Sequence, residues 1–188
     1  MRRAFTLLEA LIIFVVLAVI AAFLWPVFGR RPEPDHRNRG CYLNLRQIGL
    51  GFLQYAEDYN KFPPARVTAS TGWADALQPY VKSRQLFSCP MTKSYSSSAS
   101  DYFYNRQMAR VASDRVDEPA KTILTGEGND NAPTWNSWVG LPADAATNSN
   151  SPSQRHREGA NYGFSDGHVK WIKPGDLPAR AEWKPRLF

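Results

Sequence analysis

From Phe5 to Phe28 the chain reads FTLLEALIIFVVLAVIAAFLWPVF, an apolar run broken by a single carboxylate, Glu9. Between Ala10 and Trp25 there are 16 consecutive residues without a charge or a strongly polar side chain. With Phe5–Leu8 before them and Val27–Phe28 after, the run reaches membrane-spanning length. Glu9 limits the readings. A cleaved secretory signal places basic residues before an uninterrupted apolar core, and Glu9 interrupts it. A plain signal anchor leaves the acid unexplained, because a carboxylate deep in a span costs about 2.5–3.5 kcal/mol on insertion scales. A buried acid is tolerated when it is paired.

The 160 residues after Phe28 suit one domain and are tight for two. Mean hydropathy is −0.43 with the apolar opening included, so the remainder is water-soluble. Half of the net charge of +6 comes from the apolar run and its flanks: +2 from Arg2 and Arg3, −1 from Glu9, and +2 from the segment RRPEPDHRNR (30–39). The rest is a mildly positive solvated face with no basic stripe, and no nucleic-acid partner is expected.

The segment AFTLLEALIIFVVLAVIAAFLWP resembles the amino-terminal segment of type IV prepilins and type II secretion pseudopilins. The resemblance implies a leader, Met1–Ala4, removed by a prepilin peptidase between Ala4 and Phe5, with methylation of the new Phe5 amine. Glu9 would then face the amine of a neighbouring subunit. Residues 5–29 would form a transmembrane or filament-core helix, with Pro26 where many pilins carry a kinking proline. The family usually has Gly before the cut, and this chain has Ala4. Lys and Arg counted alone favour the opposite membrane orientation, since Arg30, Arg31, Arg37 and Arg39 outnumber Arg2 and Arg3. The extracytoplasmic placement of the soluble domain therefore comes from the resemblance.

Pro32 and Pro34 should end the first helix, making 30–40 a Pro/Arg-rich linker before a head at 41–188. In CYLNLRQIGLGFLQYAEDYNKFPPA, the residues Cys41, Leu45, Ile48, Phe52, Tyr55 and Tyr59 recur at helical steps and predict a core-facing stripe. Gly49 and Gly51 weaken that helix and allow close packing. Trp73, Leu77 and Tyr80 share one side of a short helix, followed by an extended QLFSCP. Strands are expected at Tyr102–Tyr104 and around Thr122–Thr125, the second punctuated by Gly126 and Gly128. Residues 127–155 read as a long loop anchored by Trp135 and Trp138. The fold class is α+β, one long helix on a small antiparallel sheet.

Cys41 and Cys89 lack the paired spacing of a zinc site. Outside the cytoplasm a disulfide is their natural state. It would close a loop of roughly 50 residues and contribute about 4 kcal/mol in the chain-entropy model.

Near the carboxyl end, Asp166-Gly167 separates two alternating runs, a hairpin signal. A two-residue loop would set Ser165 opposite His168, Phe164 opposite Val169 and Tyr162 opposite Trp171. The chain also resembles a bacterial group of prepilin-like proteins sharing four features in order. Here they are Cys41 with Asn44-Leu45 and Gln47-Ile48-Gly49, Asp58-Tyr59 before Pro63-Pro64, Phe87 with Cys89-Pro90, and His156 nine residues before Asp166-Gly167. His156, Asp166 and His168 are the residues a metal would draw on. One Asp and two His do not make a calcium cage, and zinc wants a further firm ligand, so turn chemistry is the preferred reading and no metal or other cofactor is expected. No nucleophile elbow, P-loop or framed carboxylate pair is present, and no enzymatic activity is expected.

The reading reached is a filament subunit: a single-pass cytoplasmic-membrane protein with its carboxyl-terminal domain outside, in a surface or periplasmic filament. Its partners would be other pilin or pseudopilin subunits, prepilin peptidase, the inner-membrane assembly platform and the lipid bilayer. The alternative is a membrane-anchored extracytoplasmic binding module that presents Trp135 and Trp138 to a glycan or other ligand and forms no filament. A third, weaker reading is a DNA-uptake subunit.

Overall fold

The computed structural model describes residues 7–28, 36–92 and 96–187. The chain forms two compact units, divided after His36. In the first, Leu7–Phe28 form helix α1, with Glu9 in its opening turn. Residues 7–22 are all exposed. No helix among the described residues is long and apolar enough to cross a membrane. Ala4 and Phe5, the expected cleavage pair, lie outside the described residues, as do 30–35 of the expected linker.

Helix α2, His36–Tyr59, forms the start of the second unit from Arg37 onward. Residues 36–40, read from sequence as linker, are its first turn. Proline forbids helix only as far as Pro34, and nothing after it does. The buried stripe runs through Cys41, Leu45, Ile48 and Phe52, as the spacing predicts, and then departs from it. Ala56 is the next buried residue, while Tyr59 is 54% exposed. Tyr55 and Tyr59 instead stack on each other at 4.5 Å, and Tyr80 approaches Tyr55 edge-on at 5.9 Å. Gly51 does permit close packing: a Cβ there would lie 2.7 Å from Val81 Cγ1.

Five strands follow: β1 (Ala99–Asn105), β2 (Ile123–Pro133), β3 (Ser137–Trp138), β4 (Ala160–Phe164) and β5 (Val169–Ile172). Their order in the sheet is β3-β1-β2-β4-β5, antiparallel except for the short β1–β3 edge. Alternation along β1 sends Tyr102 and Tyr104 to the face covered by α2, where Phe52 stacks on Tyr104 at 4.9 Å. Phe103 goes to the other face, between Trp138 (4.5 Å) and Trp183 (5.3 Å), with Ile123, Tyr162, Phe164 and Leu177. Both faces are therefore buried, the second partly beneath the carboxyl-terminal segment that contains helix α5 (Leu177–Arg180).

Three local readings are corrected. Arg84–Phe87 coil into a 3-10 turn rather than running extended. The glycines do not end β2, which continues to Pro133. A Cβ at position 126 would lie 2.7 Å from the Phe103 ring, so Gly126 is what lets that ring cross the strand. The hairpin register is one residue off the two-residue-loop expectation. Gly163 pairs with Val169, Tyr162 with Lys170 and Asn161 with Trp171. Phe164 and His168 close the turn through Phe164 N–H to His168 O (2.9 Å), and Gly167 takes φ +88°. A three-residue loop ending on a left-handed glycine is the next most favoured hairpin closure. The shift turns Trp171 outward and stacks His168 on Phe164 at 4.3 Å.

Two short helices, α3 (Trp73–Ala76) and α4 (Gln78–Val81), bury Trp73, Leu77 and Val81 under the α2 face. Asp75 caps α3 by accepting from Gly72 N (2.8 Å), and it also accepts from Thr134 Oγ1 and pairs with Arg84 at 2.8 Å. Partial burial works against its ionisation, but the hydrogen bonds from Thr134, Gly72 and Arg84 outweigh it and hold the carboxyl below its ordinary value. A folded-state value below the unfolded one stabilises at pH above the usual carboxylate range, and that contribution is lost as pH falls through the folded value. Asp75→Asn should therefore cost about 1–2 kcal/mol at neutral pH and flatten the acid limb of the stability curve. Urea unfolding of both proteins between neutrality and about pH 3 would measure this, and parallel curves would contradict it.

Candidate functional site

A polar cluster sits inside this apolar unit, where α2, the turn after the 3-10 segment and the centre of the sheet converge. Cys41 lies on the first buried turn of α2, and Cys89 follows the 3-10 turn. They form a disulfide with Cα atoms 5.2 Å apart and a sequence separation of 48. Both are buried to within 1%.

The Cys89 turn is held by one carboxylate. Asp101 Oδ2 accepts from Cys89 N (2.8 Å), Ser88 Oγ (3.0 Å) and Thr92 Oγ1 (2.8 Å), and Oδ1 accepts from Asn131 N (2.7 Å). Asp101 sits where the β1–β2 register breaks, between the Ser100 and Tyr102 pairings. The bulge frees its side chain to reach both neighbours. Asn44, one turn along α2 from Cys41, donates to Ser88 O (2.9 Å) and to Tyr102 Oη (3.3 Å). Burial pushes the Tyr102 phenol well up, so it stays a neutral hydroxyl.

Behind the disulfide lies an ionisable pair with no exposed side-chain surface. His156 Nε2 is 2.9 Å from Glu127 Oε1 and 3.9 Å from Cys89 Sγ. Asn161 Nδ2 donates to the same Glu127 oxygen at 2.6 Å. Glu127 Oε2 and His156 Nδ1 are buried without a hydrogen-bond partner among the described residues. Trp171 Nε1 donates to His156 O at 2.8 Å, tying the β5 edge to this turn. Burial raises the Tyr162 hydroxyl to about 12, helped by the nearby Glu127 charge.

The structure gives the two halves of the His-to-Asp-Gly motif different settings. His156 is inside, beside the disulfide. Asp166 is in the exposed hairpin turn, where its Oδ1 accepts from His168 N (3.1 Å) and lies 2.6 Å from His168 Nδ1. The metal-ligand atoms that gather around His156 are the two cysteine sulfurs, not Asp166 and His168. Glu127 was missed by the sequence reading. It sits between two glycines in a segment that reads as loop, and its partner His156 lies far along the chain.

Trp138, read from sequence as a loop anchor, is stacked on Phe103, and Arg66 lies over Trp135 at 4.5 Å from the ring centre. Both rings are half-buried and each has an internal partner. Glu9 lies on α1, in the other unit.

Residues 36–89, under a third of the chain, match the model of a family described as a protein of unknown function (DUF1559). The match begins with α2 and ends on Cys89, so it contains both cysteines of the disulfide. No curated protein and no solved structure matches the chain.

Three losses follow from this geometry. Reducing the Cys41–Cys89 bond should lower stability by about 4 kcal/mol. His156→Ala should cost about 3–5 kcal/mol, because it strands the Glu127 carboxylate in the interior. Glu127→Gln, which can keep the Asn161 contact, should cost less. Denaturant unfolding followed by tryptophan fluorescence ranks the three, and a His156→Ala protein as stable as the parent would refute the pairing argument.

Proposed function

We propose that the chain is a structural subunit of a type IV pilus-like or type II secretion pseudopilus-like filament, cut between Ala4 and Phe5 and methylated on Phe5. The observation that carries this reading is the uncovered apolar surface of α1. Leu7, Leu8, Phe14 and Leu17 are 87%, 66%, 74% and 59% exposed, all on one helix with a single acid in its first turn. Large exposed apolar surfaces mark membrane or protein contacts. In this reading the bilayer covers α1 before assembly, and the α1 helices of sister subunits cover it afterwards. Glu9 then meets the amine of a neighbouring Phe5 and sets the register between subunits.

Two further observations support the reading. The segment that matches the family, 36–89, is the one carrying the Cys-to-Gly helix pattern of the prepilin-like group. The second unit, a helix packed on a mainly antiparallel sheet and tied by a disulfide, suits a head displayed in an oxidising compartment. Prepilin peptidase and the inner-membrane assembly platform are the partners this reading requires, and it asks no catalysis of the chain. The binding-module alternative draws on Trp135 and Trp138, both half-buried, with Arg66 over the first and Phe103 stacked on the second.

The experiment is mass spectrometry of the membrane-extracted protein together with a Glu9→Val variant. The expected result is a chain that begins at methylated Phe5. The variant should reach the membrane in normal amount and be lost from sheared filament fractions. Recovery of the chain with Met1–Ala4 attached and no lateral crosslinks between copies would overturn the proposal.

A further inference from the structure

A covalent crosslink in an apolar core needs neither an imidazole nor a carboxylate beside it. Here both are present with no exposed surface, although desolvating an ionisable pair costs several kcal/mol per ion before pairing offsets it. Cys41 Sγ, Cys89 Sγ and His156 Nε2 all lie within 4.8 Å of one another. Glu127 Oε1 is 2.9 Å from the same imidazole nitrogen, and its second oxygen is buried without a partner among the described residues. Two sulfurs and one imidazole meet here, and the Glu127 carboxylate lies against that imidazole; together these are the donor types of a tetrahedral site for a thiophilic divalent ion.

We propose that reduction of the Cys41–Cys89 bond converts this cluster into a Zn2+ site built from Cys41, Cys89, His156 and Glu127, so that crosslink and metal are alternative fastenings of the same point. Zinc bonds of about 2.3 Å to sulfur and 2.0 Å to nitrogen place the donor atoms of a tetrahedron roughly 3.3–3.8 Å apart. The cysteine Cα atoms are 5.2 Å apart, so the two thiolates reach that separation by side-chain rotation. The chain lacks a paired-cysteine motif because its donors come from separate elements: α2, the turn after the 3-10 segment, strand β2 and the turn before β4.

The chemistry balances with a small dithiol as reductant. The dithiol gives two electrons to the Cys41–Cys89 bond through two thiol exchanges and becomes a cyclic disulfide. The two cysteine thiolates bind Zn2+, and two protons are released. For a neutral imidazole, the Nε2 proton moves to Nδ1, which has no partner among the described residues, and the freed Nε2 lone pair takes the metal. Pro90 and Met91, directly after Cys89, are exposed, so opening of this turn admits reductant and ion without opening the core. Because the ion binds only the reduced form, it pulls the thiol–disulfide equilibrium toward reduction.

The test uses the full chain in detergent, reduced without oxygen by a phosphine and then freed of it, with thiols counted and Co2+ titrated as the probe. The expected result is one Co2+ per chain, with thiolate-to-metal charge transfer and the intense visible bands of a tetrahedral site, both bleached by Zn2+. The oxidised chain should show neither signal. His156→Ala should lose the tetrahedral bands, and Glu127→Gln should weaken binding by at least about tenfold. In a fixed dithiol–disulfide buffer, Zn2+ should raise the reduced fraction of the parent and leave that of His156→Ala unchanged. A reduced chain with two titratable thiols and no cobalt–thiolate band overturns the proposal. So does a His156→Ala protein that binds like the parent, or a reduced chain that circular dichroism shows unfolded and that Zn2+ does not refold.

Discussion

The carboxylate of Asp101 gathers the Cys89 turn, β1 and the β2 bulge onto one side chain, and the Cys41–Cys89 bond fastens the start of α2's buried stripe to that turn. Beyond this point the helix meets the sheet through the apolar stripe from Leu45 to Ala56 and the Asn44 bond to Tyr102 Oη. Hydrogen bonds to an ionised acceptor are about twice as strong as neutral ones, and here three donors share one oxygen of Asp101. The disulfide then removes unfolded-state entropy over a 48-residue separation that no other described covalent link spans.

Beside this point the interior is polar where an apolar core would have served for packing alone. Glu127, His156 and Asn161 join β2, the turn before β4, and β4 itself through a single carboxylate oxygen. A buried pair of this kind gains little net stability over well-packed apolar residues, yet it strongly penalises arrangements that separate its members. With both faces of the sheet buried, a one-residue slip of β4 would move Asn161 away from Glu127 and send Tyr162 and Phe164 to the wrong side. The pair thus acts on register as well as on energy.

The two units rest on different physics. The second buries its apolar surface against itself, with Trp73, Phe52 and Tyr104 in mutual contact on one face of the sheet and Phe103 sandwiched between tryptophans on the other. The first is an apolar helix whose side chains over 7–22 are exposed. That contrast is why the functional reading turns on α1, while the chemistry worth probing lies in the second unit.

Periodicity alone determined a good deal: the apolar amino-terminal helix with its acid, the α2 stripe from Cys41 to Phe52, the strand at Tyr102–Tyr104 and a hairpin around Asp166-Gly167. These depend on local spacing, which a linear chain carries. Tertiary structure decided where the α2 stripe turns from Tyr59 to Ala56, because the aromatic surface formed with Tyr80 is not local. It decided that β2 runs through its glycines, because Gly126 is needed by Phe103 from the neighbouring strand. It decided the hairpin register, through the left-handed Gly167 and the outward Trp171. Above all, it brought Glu127 to His156 and both to the disulfide, since a meeting of residues from separate elements leaves no periodic trace along the chain.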